Sequence, residues 1–120
     1  MGETWITLKV SSLAPNGGVP QNVKALVDTG AILTLLPSGL LAKADVHPEE
    51  RIPLKLADGS TIEREVGNAL VELGGKVTAC RVLFGLATDE PLIGLTVLEQ
   101  LGLMVDPVER RLVPTQIKLF

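Results

Sequence analysis

Polar and apolar residues alternate over residues 4–10, around Trp5 and the β-branched Ile6 and Thr7, and this period of two predicts a half-buried strand. Pro15-Asn16-Gly17-Gly18 supplies turn chemistry, and residues 23–27 give the return strand. Residues 32–36 read as a further strand that Pro37 stops. Ser38 is placed to cap a short helical turn over 39–43, and the polar stretch 44–51 reads as a loop. Residues 52–56 and 61–66 flank Ala57-Asp58-Gly59-Ser60, a hairpin whose tip is expected to be small and flexible. Residues 69–73 and 76–84, joined by Gly74-Gly75, form another pair. Leu92-Ile93, a helix over roughly 96–101 and a strand at Leu112-Val113 end the series. Short strands with turn signals about every 8–12 residues predict an all-β fold, a mostly antiparallel barrel or sandwich with one short C-terminal helix.

Composition narrows this picture. A chain of 120 residues fits one domain, 1–120, and with 46% hydrophobic but only 2% aromatic residues its core must be built from aliphatic side chains. The net charge of -3 and scattered basic residues, with only Arg110-Arg111 adjacent, leave no stripe to follow a phosphate backbone, so no nucleic-acid partner is expected. The single cysteine, Cys80, excludes an internal disulfide and reads as a small buried hydrophobe in a reducing compartment, from which a cytoplasmic location is expected. Residues 1–5 have neither the basic nor the apolar region of a secretory leader, and no apolar run approaches the roughly 20 residues of a membrane span. With one histidine, His47, and one cysteine the chain has too few good ligands for zinc; no metal or cofactor is expected. Nucleophile-elbow and phosphate-loop patterns are missing.

The strongest chemical signal is Asp28-Thr29-Gly30, set between the apolar runs Ala25-Leu26-Val27 and Ile32-Leu33-Thr34-Leu35-Leu36. A carboxylate between two buried strands is costly unless function or partners retain it. Here the carboxylate suits water activation, the hydroxyl suits a loop-locking hydrogen bond, and the glycine permits close backbone approach. A lone triplet of this kind is far more often a turn. Downstream, Leu92-Ile93-Gly94 precedes the short helix, and Asp58-Gly59 sits at a hairpin tip, where it reads as turn chemistry rather than as a second catalytic acid.

With Val27-Asp28-Thr29-Gly30-Ala31, Ala57-Asp58-Gly59-Ser60 and Leu92-Ile93-Gly94 in that order, nearly the whole chain resembles the retropepsin-like aspartic proteases, the single-domain family of retroviral proteases and their cellular relatives. The resemblance implies a closed acid-protease barrel, with Asp28 catalytic and Thr29 hydrogen-bonded to a partner's loop. Gly30 and Ala31 would floor the cleft, Ala57, Asp58, Gly59 and Ser60 would cover an extended peptide, and Leu92, Ile93 and Gly94 would support the loop. It also makes the terminal strands 4–10 and 112–120 candidates for a dimer sheet. Two departures stand out: Leu95-Thr96 replaces the Arg-Asn or Arg-Asp pair common in retroviral members, and the flap carries one glycine and no aromatic.

Such chemistry needs two carboxylates sharing one proton, and the chain has one Asp-Thr-Gly. A two-fold homodimer supplies the second. The expected function is that of a homodimeric aspartic endopeptidase; the alternative is a catalytically weak dimer of the same fold that binds extended peptides as an assembly module.

Overall fold

The computed structural model describes residues 2–116. Alternation works as the sequence suggests in β1 (Trp5–Ser11), which buries Leu8 and Val10 while Thr7 and Lys9 face solvent. Along the chain follow β2 (Gln21–Val27), β3 (Thr34–Pro37), α1 (Ser38–Lys43), β4 (Glu50–Lys55), β5 (Thr61–Leu73) and β6 (Lys76–Gly85). The remainder is β7 (Leu92–Ile93), α2 (Leu95–Leu101), β8 (Leu103–Asp106) and β9 (Arg111–Pro114).

Seven strands form one sheet in the order β1-β2-β7-β3-β6-β5-β4, and an additional β1–β5 pairing closes six of them into a ring, leaving β4 outside on β5. The ring-like sheet is the mostly β architecture expected. Most pairings are antiparallel, but β2–β7 and β3–β6 are parallel. The core inside the ring is aliphatic: Leu8, Val10, Leu36, Val71, Val82 and Ile93 are each 1% exposed or less. Each contributes about 1.5–3 kcal/mol of burial free energy. From α2, Val97, Leu98 and Leu101 join this core, and from α1 Leu41 does so with Leu40 packed against it.

Several boundaries differ from expectation, each for a local reason. The expected break between residues 66 and 69 does not exist, and β5 runs through it for 13 residues. Gly67 is there for close approach: a Cβ would lie 2.5 Å from the His47 carbonyl oxygen, where the 44–49 segment crosses β5. That segment is not a simple polar loop, because Ala44 and Val46 are buried and β4 begins at Glu50. Ser38 does not cap α1; its hydroxyl donates instead to the Gly85 carbonyl at 2.7 Å, and Pro37 occupies the cap position. The strand expected from Ile32 begins at Thr34, with Ile32 72% exposed. β8 was not expected; it pairs with β9 around an Asp106 turn in which Oδ1 accepts from the Val108 and Glu109 amides. Of the segments proposed for a dimer sheet, β1 is paired to β2 and β5 and residues 112–114 to β8, while residues 117–120 lie outside the described part.

Candidate active site

β2 ends at Val27 because its ladder is handed over to other partners there: the Val27 amide donates to the Thr4 carbonyl at 2.8 Å and the Asp28 amide to the Ile93 carbonyl at 2.9 Å. Asp28 then turns the chain. Its Oδ1 accepts from the Gly30 amide at 3.0 Å and its carbonyl from the Ala31 amide at 3.1 Å. Two further bonds join the returning chain to the start of α2: Leu95 amide to Ala31 carbonyl at 2.8 Å, and Thr96 amide to Ile32 carbonyl at 3.1 Å.

Leu92, Ile93 and Gly94 thus lie directly beneath the Asp28 loop. Ile93 is fully buried and Gly94 fits only as glycine, since a Cβ would sit 2.5 Å from the Leu33 carbonyl carbon and oxygen. Thr34, which the sequence reading did not single out, completes this support. It is 1% exposed, and its hydroxyl oxygen accepts from the Gly94 amide at 3.0 Å, the one buried side-chain bond between β3 and the turn into α2. The signal was a lone hydroxyl inside the apolar run 32–36.

The loop is rigidly based and openly presented. Asp28 is half-buried, Thr29 and Gly30 are exposed, and Ala31 is half-buried. Among the described residues the Thr29 hydroxyl makes no side-chain hydrogen bond. Beside the loop opens a cavity of about 410 Å³, with Gly30 to Leu33 on one wall and Leu54 and Leu83 on the other. Strand β4 therefore faces the loop across this cavity.

The turn at residues 57–60 does not line that cavity and, among the described residues, forms its hydrogen bonds locally. Leu56 amide donates to Ser60 carbonyl at 2.8 Å and Gly59 amide to Leu56 carbonyl at 2.9 Å. Asp58 Oδ1 accepts from the Ser60 amide at 2.8 Å and from the Ser60 hydroxyl, and these bonds hold the Asp58 carboxyl below its ordinary value of 3.8. The tip is a hydrogen-bonded turn, with Ala57, Asp58, Gly59 and Ser60 all exposed. Asp58 serves that turn. No group of three or more metal-ligating side chains occurs among the described residues, and no helix there is long and apolar enough to cross a membrane.

A half-buried aspartate in an Asp-Thr-Gly turn, seated on a hydrophobic-hydrophobic-Gly segment inside a closed β ring, defines the retropepsin-like aspartic proteases. Residues 16–100 match the family model described as "gag-polyprotein putative aspartyl protease", well over half of the chain, and the protein belongs to that family. Among solved structures, 122 chains match. One is the EIAV protease complexed with the inhibitor HBY-793, at 14% identity and a TM-score of 0.62, over 84% of this chain and 89% of that one. No curated protein sequence gives a significant match.

Proposed function

We propose that the protein is an aspartic endopeptidase, active as a homodimer in which Asp28 of each copy contributes one carboxylate to a shared catalytic pair. The observation that carries this reading is the presentation of the Asp28 loop: main-chain bonds to Ile93 and α2 fix its base, while Thr29 and Gly30 at its crest are open to solvent. A second copy brought onto that crest by a two-fold axis completes the dyad and gives each Thr29 hydroxyl a partner. Two carboxylates about 3 Å apart do not both ionise, so the pair holds one proton between them. The ionised member takes a proton from the attacking water while the protonated member polarises the scissile carbonyl. An extended peptide lies between the loop and β4, and the flap tip excludes bulk water above it.

The test compares wild type with Asp28→Asn on a diverse peptide pool, with the mass of each in solution measured in parallel. Turnover by a dimeric wild type, lost in a dimeric Asp28→Asn, is the expected result. Equal turnover in both ends the protease reading, and equal peptide binding without turnover in either makes the protein a binding module of this fold.

A further inference from the structure

A cavity of about 350 Å³ opens at the seam between the ring and the β8–β9 hairpin, and it shares no lining residue with the cavity beside the Asp28 loop. We propose that it binds a free aliphatic monocarboxylate, with the hydrocarbon chain against Ile6, Leu73, Leu103 and Leu112 and the carboxylate on Lys76 and Arg111. Neither Asp28 nor a second copy takes part, so the site stands or falls apart from the protease reading.

The apolar lining comes from both sheets. Leu73 of β5 is 1% exposed, while Ile6 of β1, Leu103 of β8 and Leu112 of β9 pack against the core and stay half-buried. In the hairpin register Leu103 stands opposite Pro114 and Val105 opposite Leu112, so Leu103, Leu112 and Pro114 share one face. At the turn from β5 to β6 the chain supplies no side chain to close the cavity. Gly74 and Gly75 both have positive φ, and the space where a Cβ would stand is open at each. The volume falls within the roughly 300–1,000 Å³ of small-ligand sites, which pair an apolar lining with a few polar groups.

Here those polar groups are two cations, with no acidic, amide or hydroxyl side chain beside them. The Lys76 ammonium donates to the Leu101 carbonyl at 3.3 Å, which anchors it at the end of α2 with donors to spare. Arg111 stands opposite Asp106 in the β8–β9 register, yet among the described residues neither Arg111 nor Lys76 has an ion-pair partner. In a chain of net charge -3, two unpaired cations at one apolar cavity are a local complement to an anion. A guanidinium takes a carboxylate through two parallel N–H bonds, and an ammonium adds a point charge. A peptide end suits the site less well, because the lining has no polar side chain to replace the water stripped from its amides. An alkyl chain carries no such groups. Once bound, the ligand touches both the ring and the hairpin and stabilises their junction.

The experiment titrates octanoate into the protein and follows backbone amide signals and the thermal midpoint. Octanol, octylamine, acetate and the free acid of N-acetyl-Ala-Leu are titrated in the same way. Octanoate is expected to shift the Gly74, Leu103 and Leu112 amides saturably, to raise the midpoint, and to bind at least about tenfold more tightly than any of the other four. Lys76→Met and Arg111→Met, at exposed positions, should each weaken octanoate binding about tenfold, with Lys24→Met on β2 as an unchanged control. Joint Lys76→Glu and Arg111→Glu should turn the preference to octylamine. If a variant does not fold, the ranking of the five probes on wild type decides the matter. Octanol or octylamine binding as tightly as octanoate overturns the role of the two cations, and acetate doing so overturns the role of the apolar lining. Tighter binding of the peptide acid overturns the free monocarboxylate as ligand. Shifts confined to other amides, or none at all, overturn the site.

Discussion

Asp28 and Asp58 head two turns built with the same local chemistry. In each, Oδ1 accepts from the amide two residues on, Gly30 at 3.0 Å in one and Ser60 at 2.8 Å in the other, and a glycine stands in the turn. Their surroundings differ entirely. The Asp28 turn is bonded to Ile93 and to the start of α2, and it rests on Gly94, where a Cβ would lie 2.5 Å from the Leu33 backbone. Among the described residues the Asp58 turn bonds only to itself, and the space around Gly59 is open. What separates a candidate catalytic aspartate from a turn aspartate is therefore not the turn but the tertiary contacts that fix it and present it.

Substitutions at the two sites sharpen the contrast. Asp28→Asn is expected to lower peptide turnover by at least about a hundredfold, the scale of lost acid-base catalysis, whereas Asp58→Asn keeps turnover within about tenfold. A kinetic assay on one peptide decides this, and comparable losses at both positions break the comparison. For stability, Gly94→Ala should cost about 3 kcal/mol, because the new Cβ meets the fixed Leu33 backbone. Gly59→Ala meets open space but a φ of +88°, and should cost about 1 kcal/mol. Denaturant midpoints of the two variants test the ranking.

Between these lies Thr34→Val, which leaves the buried Gly94 amide without an acceptor and should cost about 1–3 kcal/mol, most of it restored in Thr34→Ser. The smallest effect concerns pH. Ser60 favours the ionised Asp58, so that contribution is present above the ordinary carboxyl value and is lost as pH falls through the lowered folded one. The Ser60 amide signal should shift in that acid range, and Asp58→Asn should abolish the shift.

The ring of strands was legible because its core-facing positions follow a period of two, and the Asp28 and Leu92-Ile93-Gly94 segments because their residue types are chemically unusual between apolar runs. What stayed hidden depends on contacts distant in sequence. Gly67 looked like a strand break, and only the crossing of His47 explains a glycine inside β5. Thr34 looked like one more strand residue until Gly94, 60 positions away, became its donor. Ser38 had the right chemistry for a cap, but Gly85 took its hydroxyl. The pairing of β8 with β9 was missed because residues 103–106 are too few for a period to register. The cavity at Ile32 was not visible either, since its walls come from three separate segments.

The central claim is that one working site draws its two carboxylates from two chains, and subunit exchange tests it most directly. Wild type is mixed with increasing Asp28→Asn protein at constant total concentration, allowed to exchange, and assayed. If each site needs both copies of Asp28, activity falls with the square of the wild-type fraction, to about a quarter at equal mixing. A fall in simple proportion to the wild-type fraction, with exchange confirmed by mass, would show that one Asp28 suffices and would contradict the account.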